Sequence, residues 1–398
     1  MTLTNQPLDG IRVLEFGGYI AGPYATSILG SLGADVVKVE KSTGDDFRRG
    51  MGNASPYFVQ YNAGKRSMAV DLKSSAGVDV VKSLLPHYDV LVENLRPGKM
   101  SALGLGNDEC RAINNSLIYV SVTGFGNTGP LRDRPAYDTI GQAFGGLYSL
   151  LSPADNTGLS GTILADLVTG MSTAMGVLAA VVGRSRNGGS SYVETSILEA
   201  VSTLTIDALT QGFSTGEDPT LASRHPQAQN FCLRTSTGDD IAVHLSNSDT
   251  FWTRLCQAID RPGLLVDTRY REYRAREQNY AELKIELEKV FVSQGSDYWE
   301  KRLISYDVPF APVLGMSGYA THPQVDELQV IAYSEDGTVP LVRPPWRFDS
   351  VRPERHHSAP RVGEHTVDVV RDILDDDRIR ALFESGVLIA HENASQPC

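Results

Sequence analysis

The chain has 398 residues, 41% of them hydrophobic and 21% charged, with a net charge of −12 and a pI of about 5.2. That length exceeds one ordinary core and implies two or three domains. The acidic balance argues against a nucleic-acid-coating or membrane-surface protein, since both carry a basic footprint.

Four widely spaced cysteines (Cys110, Cys232, Cys256, Cys398) include no C-x-x-C. They supply neither a disulfide framework nor a zinc motif, and they imply a reducing, cytoplasmic setting. The first ten residues lack the charged and apolar regions of a signal peptide. His356-His357 has no third ligand at metal spacing, so no metal site is expected.

In chain order, residues 11–16 (IRVLEF) form a short apolar run between glycines and are predicted as a buried strand. A helical pattern follows from Pro23 through Tyr24, Ile28, Leu29 and Leu32, closed by Gly33. Residues 35–40 (DVVKVE) are the next strand, which completes a βαβ unit and implies a parallel sheet. Residues 67–72, 89–93 and 117–123 are predicted as further strands. Ser75 is the expected cap of a helix running to Leu85, and another helix is expected over 108–113. Five strands with intervening helices make a doubly wound α/β domain, whose ligands bind outside the carboxyl ends of the strands. Those ends are Gly17-Gly18-Tyr19, Glu40-Lys41, Leu72-Lys73, Asn94-Leu95 and Gly124. The first turn, GGYIAGP, is not G-x-G-x-x-G, which weighs against a nicotinamide-dependent dehydrogenase.

Charge is uneven along this half. Between Lys38 and Lys99 ten Lys or Arg face seven acids, inside a chain that is acidic overall. Basic residues near strand ends suit a polyanionic ligand bearing several phosphates. Glu40 stands where a ribose-binding acid would lie. Arg48 and Arg49 are candidates to clamp the second carboxylate of a dicarboxylic acid.

The sequence from Gly124 to Gly183 is the most informative stretch. It passes a Tyr137-Asp138 pair and then sets Asp166 at the head of a long run of small and apolar residues. From Leu164 to Gly183 nothing else is charged. An ionised carboxylate is costly to bury unless paired, hydrogen-bonded or used. One reading is a helix N-cap or first-turn acid. The other is a covalent nucleophile, kept ionised and low in pKa by the helix N-terminus. The run reads as a buried core helix rather than a membrane span, because Ser and Thr interrupt it. Beyond it, residues 192–195 are predicted as a strand and 198–209 as a helix, with 212–229 polar and irregular. A smaller unit from Asn230 carries strands at 241–245 and 311–314 and helices at 250–259 and 298–305.

Several segments together resemble CoA-transferase family III, the group of formyl-CoA and carnitine CoA-transferases with the α-methylacyl-CoA racemases as a branch. They are LDGIRVLEF, AGPYAT, LGADVVKVE, NAGKRSMAVDLK, DVLVENLRPG, GFGNTGP, PAYDTIGQAFGG, ADLVTGM and APRVGEHT, in order across nearly the whole chain. The resemblance implies an α/β fold: a Rossmann-like doubly wound large domain (1–210 and 330–398), a smaller α+β domain (225–325) and crossing linkers (211–224 and 326–340). It implies an interlocked homodimer. It makes Asp166 the catalytic nucleophile of CoA transfer to a small carboxylic acid. Coenzyme A enters as substrate, and no cofactor is held permanently. CoA contacts carry over to Gly18, Tyr19, Ile20, Ala21, Lys41, Leu72, Lys73, Asn94, Leu95, Arg96 and Tyr137.

The sequence departs from the family pattern at four places. Ile20 stands where some transferases carry Gln, and Ala102 where many carry Arg or Lys. SRHPQAQN occupies the region of the glycine run that covers the formyl-CoA transferase site. Tyr137 stands where the racemase branch has His, so a second base for racemisation is missing and transfer is favoured over racemisation. A non-catalytic CoA-binding protein is the remaining alternative.

Overall fold

The computed structural model describes residues 6–51, 55–153, 155–354 and 356–391. The chain divides into two compact units, one of residues 1–147, 160–205 and 324–398, the other of 148–159 and 206–323.

The larger unit is built on a seven-stranded sheet. Its strands are β1 (Arg12–Phe16), β2 (Asp35–Glu40), β3 (Arg66–Val70), β4 (Val90–Glu93), β5 (Ile118–Thr123), β6 (Ser191–Ser196) and, from the far end of the chain, Leu388–Ile389. The order is Leu388–Ile389, β3, β2, β1, β4, β5, β6. All pairings are parallel except that of the last strand with β3. The 3-2-1-4-5-6 order places a topological switch between β1 and β4, where doubly wound sheets leave a crevice.

Both faces of this sheet are buried, which explains why its strands read as continuous apolar runs rather than as alternation. Leu14, Val37, Leu91 and Tyr119 pack on one face with Val80, Val81 and Leu84 of the helix Ser75–Leu84. Val13, Val36, Val90 and Val120 pack on the other with Ala25 and Leu29 of the helix Ala21–Ser31 and with Ala174 and Val177 of the long helix Leu164–Asn187. The long helix crosses the first one closely at Gly170. A Cβ there would come within 2.8 Å of the Tyr24 ring and 3.0 Å of the Ala21 carbonyl oxygen. By length and composition this helix could span a membrane. Here its Ala165, Val168, Thr169, Thr173 and Val177 are buried in the unit's core, and Arg184 near its end pairs with Asp89 at 2.8 Å.

A group of charges lies inside the same unit. Glu15 of β1, fully buried, accepts from Lys38 Nζ and Lys65 Nζ, each at 2.7 Å, and from Thr26 Oγ1 at 2.6 Å. Burial alone would push the Glu15 carboxyl up, but the two lysines outweigh it and hold the group at about 2.

The smaller unit carries the antiparallel sheet β7 (Asn230–Arg234), β8 (Asp240–His244) and β9 (Phe310–Pro312). Its core gathers Trp252, Leu255, Leu283, Leu287, Phe291 and Trp299.

Three local expectations change. The predicted helix over 198–209 is two helices, Ile197–Leu204 and Ile206–Thr215, and the chain passes from one unit to the other at the break. The second helix extends into the stretch expected to be irregular from residue 212. Ser74, not Ser75, is the N-cap residue of the helix Ser75–Leu84, and its side chain makes no capping bond.

Removing one partner of a buried ion pair strands a charge, so Glu15→Gln should lower unfolding free energy by about 3–5 kcal/mol near neutral pH. The folded Glu15 carboxyl sits at about 2 against an ordinary 4.5. The stability it adds is therefore complete above about 4.5 and is lost as pH falls toward 2. Denaturant titrations of both proteins across this range should show their difference shrinking as pH falls.

Candidate active site

The loop after β1, Gly17-Gly18-Tyr19-Ile20, leads straight into the helix Ala21–Ser31 at the switch between β1 and β4. Side chains from three other segments, Lys38 and Asp45 buried and Asn94 half-buried, hold it. Lys38 Nζ of β2 donates to the Gly17 carbonyl at 2.6 Å. Asn94, just past β4, accepts from Gly18 N–H and donates to Gly18 C=O, both at 2.9 Å. Asp45 accepts from Tyr19 N–H at 3.4 Å and pairs with Lys38 at 2.9 Å. Tyr19 adopts φ 60, a left-handed conformation unusual for a residue with a side chain. This arrangement turns its ring toward Tyr137, with centroids 5.5 Å apart.

A cavity of about 300 Å³ opens at this point. Of the sequence-predicted contacts, Gly18, Tyr19, Ile20, Ala21, Asn94, Leu95, Arg96, Tyr137 and Asp166 all line it. Lys41, Leu72 and Lys73 do not. Lys41 is exposed and donates to Asp46 at 2.6 Å, and Asp46 does line the cavity. Leu72 packs against the sheet's core and Lys73 is exposed. Sequence reasoning missed Arg134, which lines the cavity three residues before Tyr137. The signal available was its place at the PAYDT segment, after the strand-end Gly124. The SRHPQAQN segment lies in the smaller unit, with a short helix over His225–Ala228.

Asp166 lies in the first turn of the long helix, third from its start, and is buried. It is not the capping residue. The cap comes from another helix: Asp138 Oδ1 accepts from Ala165 N–H at 2.9 Å and from Asp166 N–H at 3.1 Å. Asp138 is itself held by Gln142 Nε2, which donates to its other oxygen at 2.6 Å and to the Thr162 carbonyl at 2.9 Å. Ser160 Oγ donates to Gln142 Oε1 at 2.6 Å.

This geometry reverses the expected electrostatics. The Asp166 carboxyl is not held low by the helix N-terminus; it is raised to about 7. Burial is the larger cause and the adjacent negative charge of Asp138 the second. Asp138 takes up two of the helix-terminal N–H groups that would otherwise have favoured the ionised form of Asp166.

The basic residues before Lys99 are also largely committed. Arg48 is buried and grips Glu40 through two bonds, at 3.0 and 2.7 Å, so neither is available to a ligand in the way the sequence suggested. Lys38 and Lys65 belong to the buried Glu15 group, and Arg66 pairs with Asp35. Arg49 instead lies exposed over the rings of Tyr57 and Phe47. Among the described residues, no three His, Cys, Asp or Glu gather as a metal site would require.

The sequence model of CoA-transferase family III matches residues 8–366. Over 399 residues the chain is 30% identical to the Homo sapiens succinyl-CoA:glutarate CoA-transferase, covering 97% of this chain and 91% of that one. It is 34% identical over 325 residues to the acetyl-CoA:oxalate CoA-transferase of Acetobacter aceti, covering 80% of this chain and 83% of the relative. Among solved structures, the orthorhombic crystal form of Rv3272 from Mycobacterium tuberculosis matches with a TM-score of 0.82 at 31% identity. That match covers 91% of this chain and 99% of the other.

If Asp138 contributes to the raised Asp166 value, its neutral isostere should lower it. Difference infrared spectroscopy should show two carboxyls titrating near pH 7 in the wild type, Asp166 and Glu93. The Asp166 contribution should be missing in Asp166→Asn and should move to lower pH in Asp138→Asn, whose amide oxygen still caps the long helix.

Proposed function

The chain belongs to CoA-transferase family III, and on that premise we propose that it moves coenzyme A from an acyl-CoA thioester to a small carboxylic acid through a covalent intermediate on Asp166. The observation that carries this reading is one buried carboxylate, with no cation paired to it among the described residues, in the cavity at the β1–β4 switch. Glu15 and Glu40, buried acids outside this cavity, are instead spent on ion pairs.

The Asp166 carboxylate attacks the thioester carbonyl carbon, the C–S bond breaks, and CoA leaves as thiolate. The products are an aspartyl mixed anhydride and bound thiolate. The thiolate then attacks the aspartyl carbonyl and releases the donor acid, leaving an aspartyl-CoA thioester. The acceptor carboxylate attacks that thioester and expels the thiolate, which takes up the acceptor's acyl group and frees Asp166. The tetrahedral oxyanions need preorganised donors. The first helix begins at Ala21 beside this cavity, and the leading N–H groups of a helix have no intrahelical partner. Their position supports them in that role.

Coenzyme A would run along Gly18–Ala21, Asn94–Arg96 and Tyr137, with Lys41, Leu72 and Lys73 further out. Arg96 and Arg134 line the cavity, and neither side chain is paired among the described residues, which suits them to phosphate. We read the enzyme as a cytoplasmic homodimer. In support, Ile206, Leu209 and Phe213 form an apolar stripe at i, i+3 and i+7 on one helix of the smaller unit, 64%, 50% and 90% exposed, a contiguous face of the kind a partner covers.

The test is exchange of CoA between a panel of acyl-CoAs and small acids, followed by chromatography of the thioesters. Transfer is expected for the wild type and a loss on the order of 10³-fold or more for Asp166→Ala. Exchange of the acyl α-proton with solvent and no CoA transfer would instead indicate a racemase. The nucleophile must be ionised and its carboxyl lies at about 7. Catalytic efficiency should accordingly rise about tenfold per pH unit below that value and level off above it.

A further inference from the structure

We infer that Glu93 is the positioning residue for the CoA-binding loop Asn94–Pro97, a role that rests on the reading of this cavity as the CoA site. Glu93 ends β4 and is buried, directly before the four consecutive cavity residues Asn94, Leu95, Arg96 and Pro97. Its side chain turns back under that loop. Glu93 Oε2 accepts the Leu95 N–H at 2.9 Å, and the Ser121 hydroxyl, its cross-strand neighbour on β5, donates to the same carboxyl. The loop is thereby fixed at two successive residues: Asn94 by its clamp on Gly18, Leu95 by Glu93. Arg96 then projects at the cavity from a backbone that is fixed on its N-terminal side.

Among the described residues the carboxyl faces no cation. Ser121 and Tyr119 lie on β5, Tyr192 and Glu194 on β6, and Cys110 and Glu109 on the helix Asn107–Ile113 beyond Tyr119. Among the described residues none of these is a Lys, Arg or His, and no ion pair reaches Glu93. Asn127 meanwhile satisfies Glu194 at 2.7 Å. Burial accordingly raises the Glu93 carboxyl to about 7, with the Ser121 and Leu95 bonds pulling the other way. An ionised carboxylate accepts an N–H more strongly than a neutral carboxyl. The loop is therefore held more firmly above that pH than below it, and CoA binding should tighten as pH rises through it. Glu93 touches neither the reacting carbonyl nor Asp166 among its hydrogen bonds, so the effect belongs to binding and not to the chemical step.

The experiment is calorimetric titration of the full-length protein with free CoA at pH 6 and pH 8, alongside kcat and KM for an acyl-CoA. Glu93→Ala should weaken CoA binding and raise KM about tenfold while kcat stays within about twofold. Glu93→Gln keeps a neutral acceptor. It should bind CoA about as the wild type does at pH 6 and should lack the wild type's gain at pH 8; the ligand's own titration is common to both and cancels in the comparison. If Glu93→Ala fails to fold, the Glu93→Gln titration alone decides the matter. Unchanged CoA affinity in Glu93→Ala, or the same pH response in Glu93→Gln as in the wild type, would overturn the role of Glu93. A wild type that binds no CoA at either pH would instead overturn the reading of the cavity beneath it.

Discussion

A buried lysine holding a loop carbonyl is what the rest of the site depends on. Lys38 Nζ bonds Glu15, Asp45 and the Gly17 carbonyl. It thus ties the end of β1 to β2, to the segment after β2 and to the loop that starts the first helix. In many doubly wound folds glycines alone shape this turn. Here the turn is GGYIAG, and Tyr19 must take a left-handed backbone that a residue with a side chain adopts only at some cost. The clamps from Lys38, Asp45 and Asn94 over-determine that conformation. Their reward is structural: the first helix starts at the cavity, and the Tyr19 ring meets Tyr137.

The proposed nucleophile, Asp166, is set by the opposite device. Glu15 has two lysines and is held far down; Asp166 has, among the described residues, no paired cation but a neighbouring carboxylate, and burial and that charge hold it up. Both acids are buried, so burial alone does not distinguish them. What differs is the sign of the nearest charge. A carboxylate that is poorly stabilised by its surroundings is the more nucleophilic, and for the same reason the poorer leaving group from an anhydride. A value near neutrality reconciles these demands at cellular pH.

Much of the larger unit was legible in the sequence. Residues 35–40 are a strand at the expected bounds, and the strands at 11–16, 89–93 and 117–123 fall within a residue or two, because continuous apolar runs between glycines and polar turns have few other solutions. Leu388–Ile389 was not legible: a strand of two residues carries no periodicity, and its pairing with β3 comes from more than three hundred residues away. The helix break at Thr205 was hidden because an apolar helical pattern continues across it.

Within the site, nine of the predicted residues meet at one cavity because strand ends converge there by topology. The resemblance, rather than spacing, singled out Asp166 from an ordinary first-turn acid. Its raised pKa was missed because both of its causes are made by the fold: the burial of Asp166, and the approach of Asp138, 28 residues away in sequence, to the helix terminus. The same limit applied to charge: a count of ten bases shows nothing of their partners, and Arg48, Lys38 and Lys65 turn out to be spent on Glu40 and Glu15.

The central claim is that Asp166 becomes covalently acylated or thioesterified during turnover. The most direct measurement is intact mass of the protein after brief incubation with an acyl-CoA, then hydroxylamine treatment and peptide mapping. The account predicts an added mass of acyl group or CoA, converted by hydroxylamine to a hydroxamate on the peptide that contains Asp166 and missing in Asp166→Ala. Efficient CoA transfer with no adduct at Asp166 under conditions that trap the intermediate, or an adduct at another residue, would contradict it.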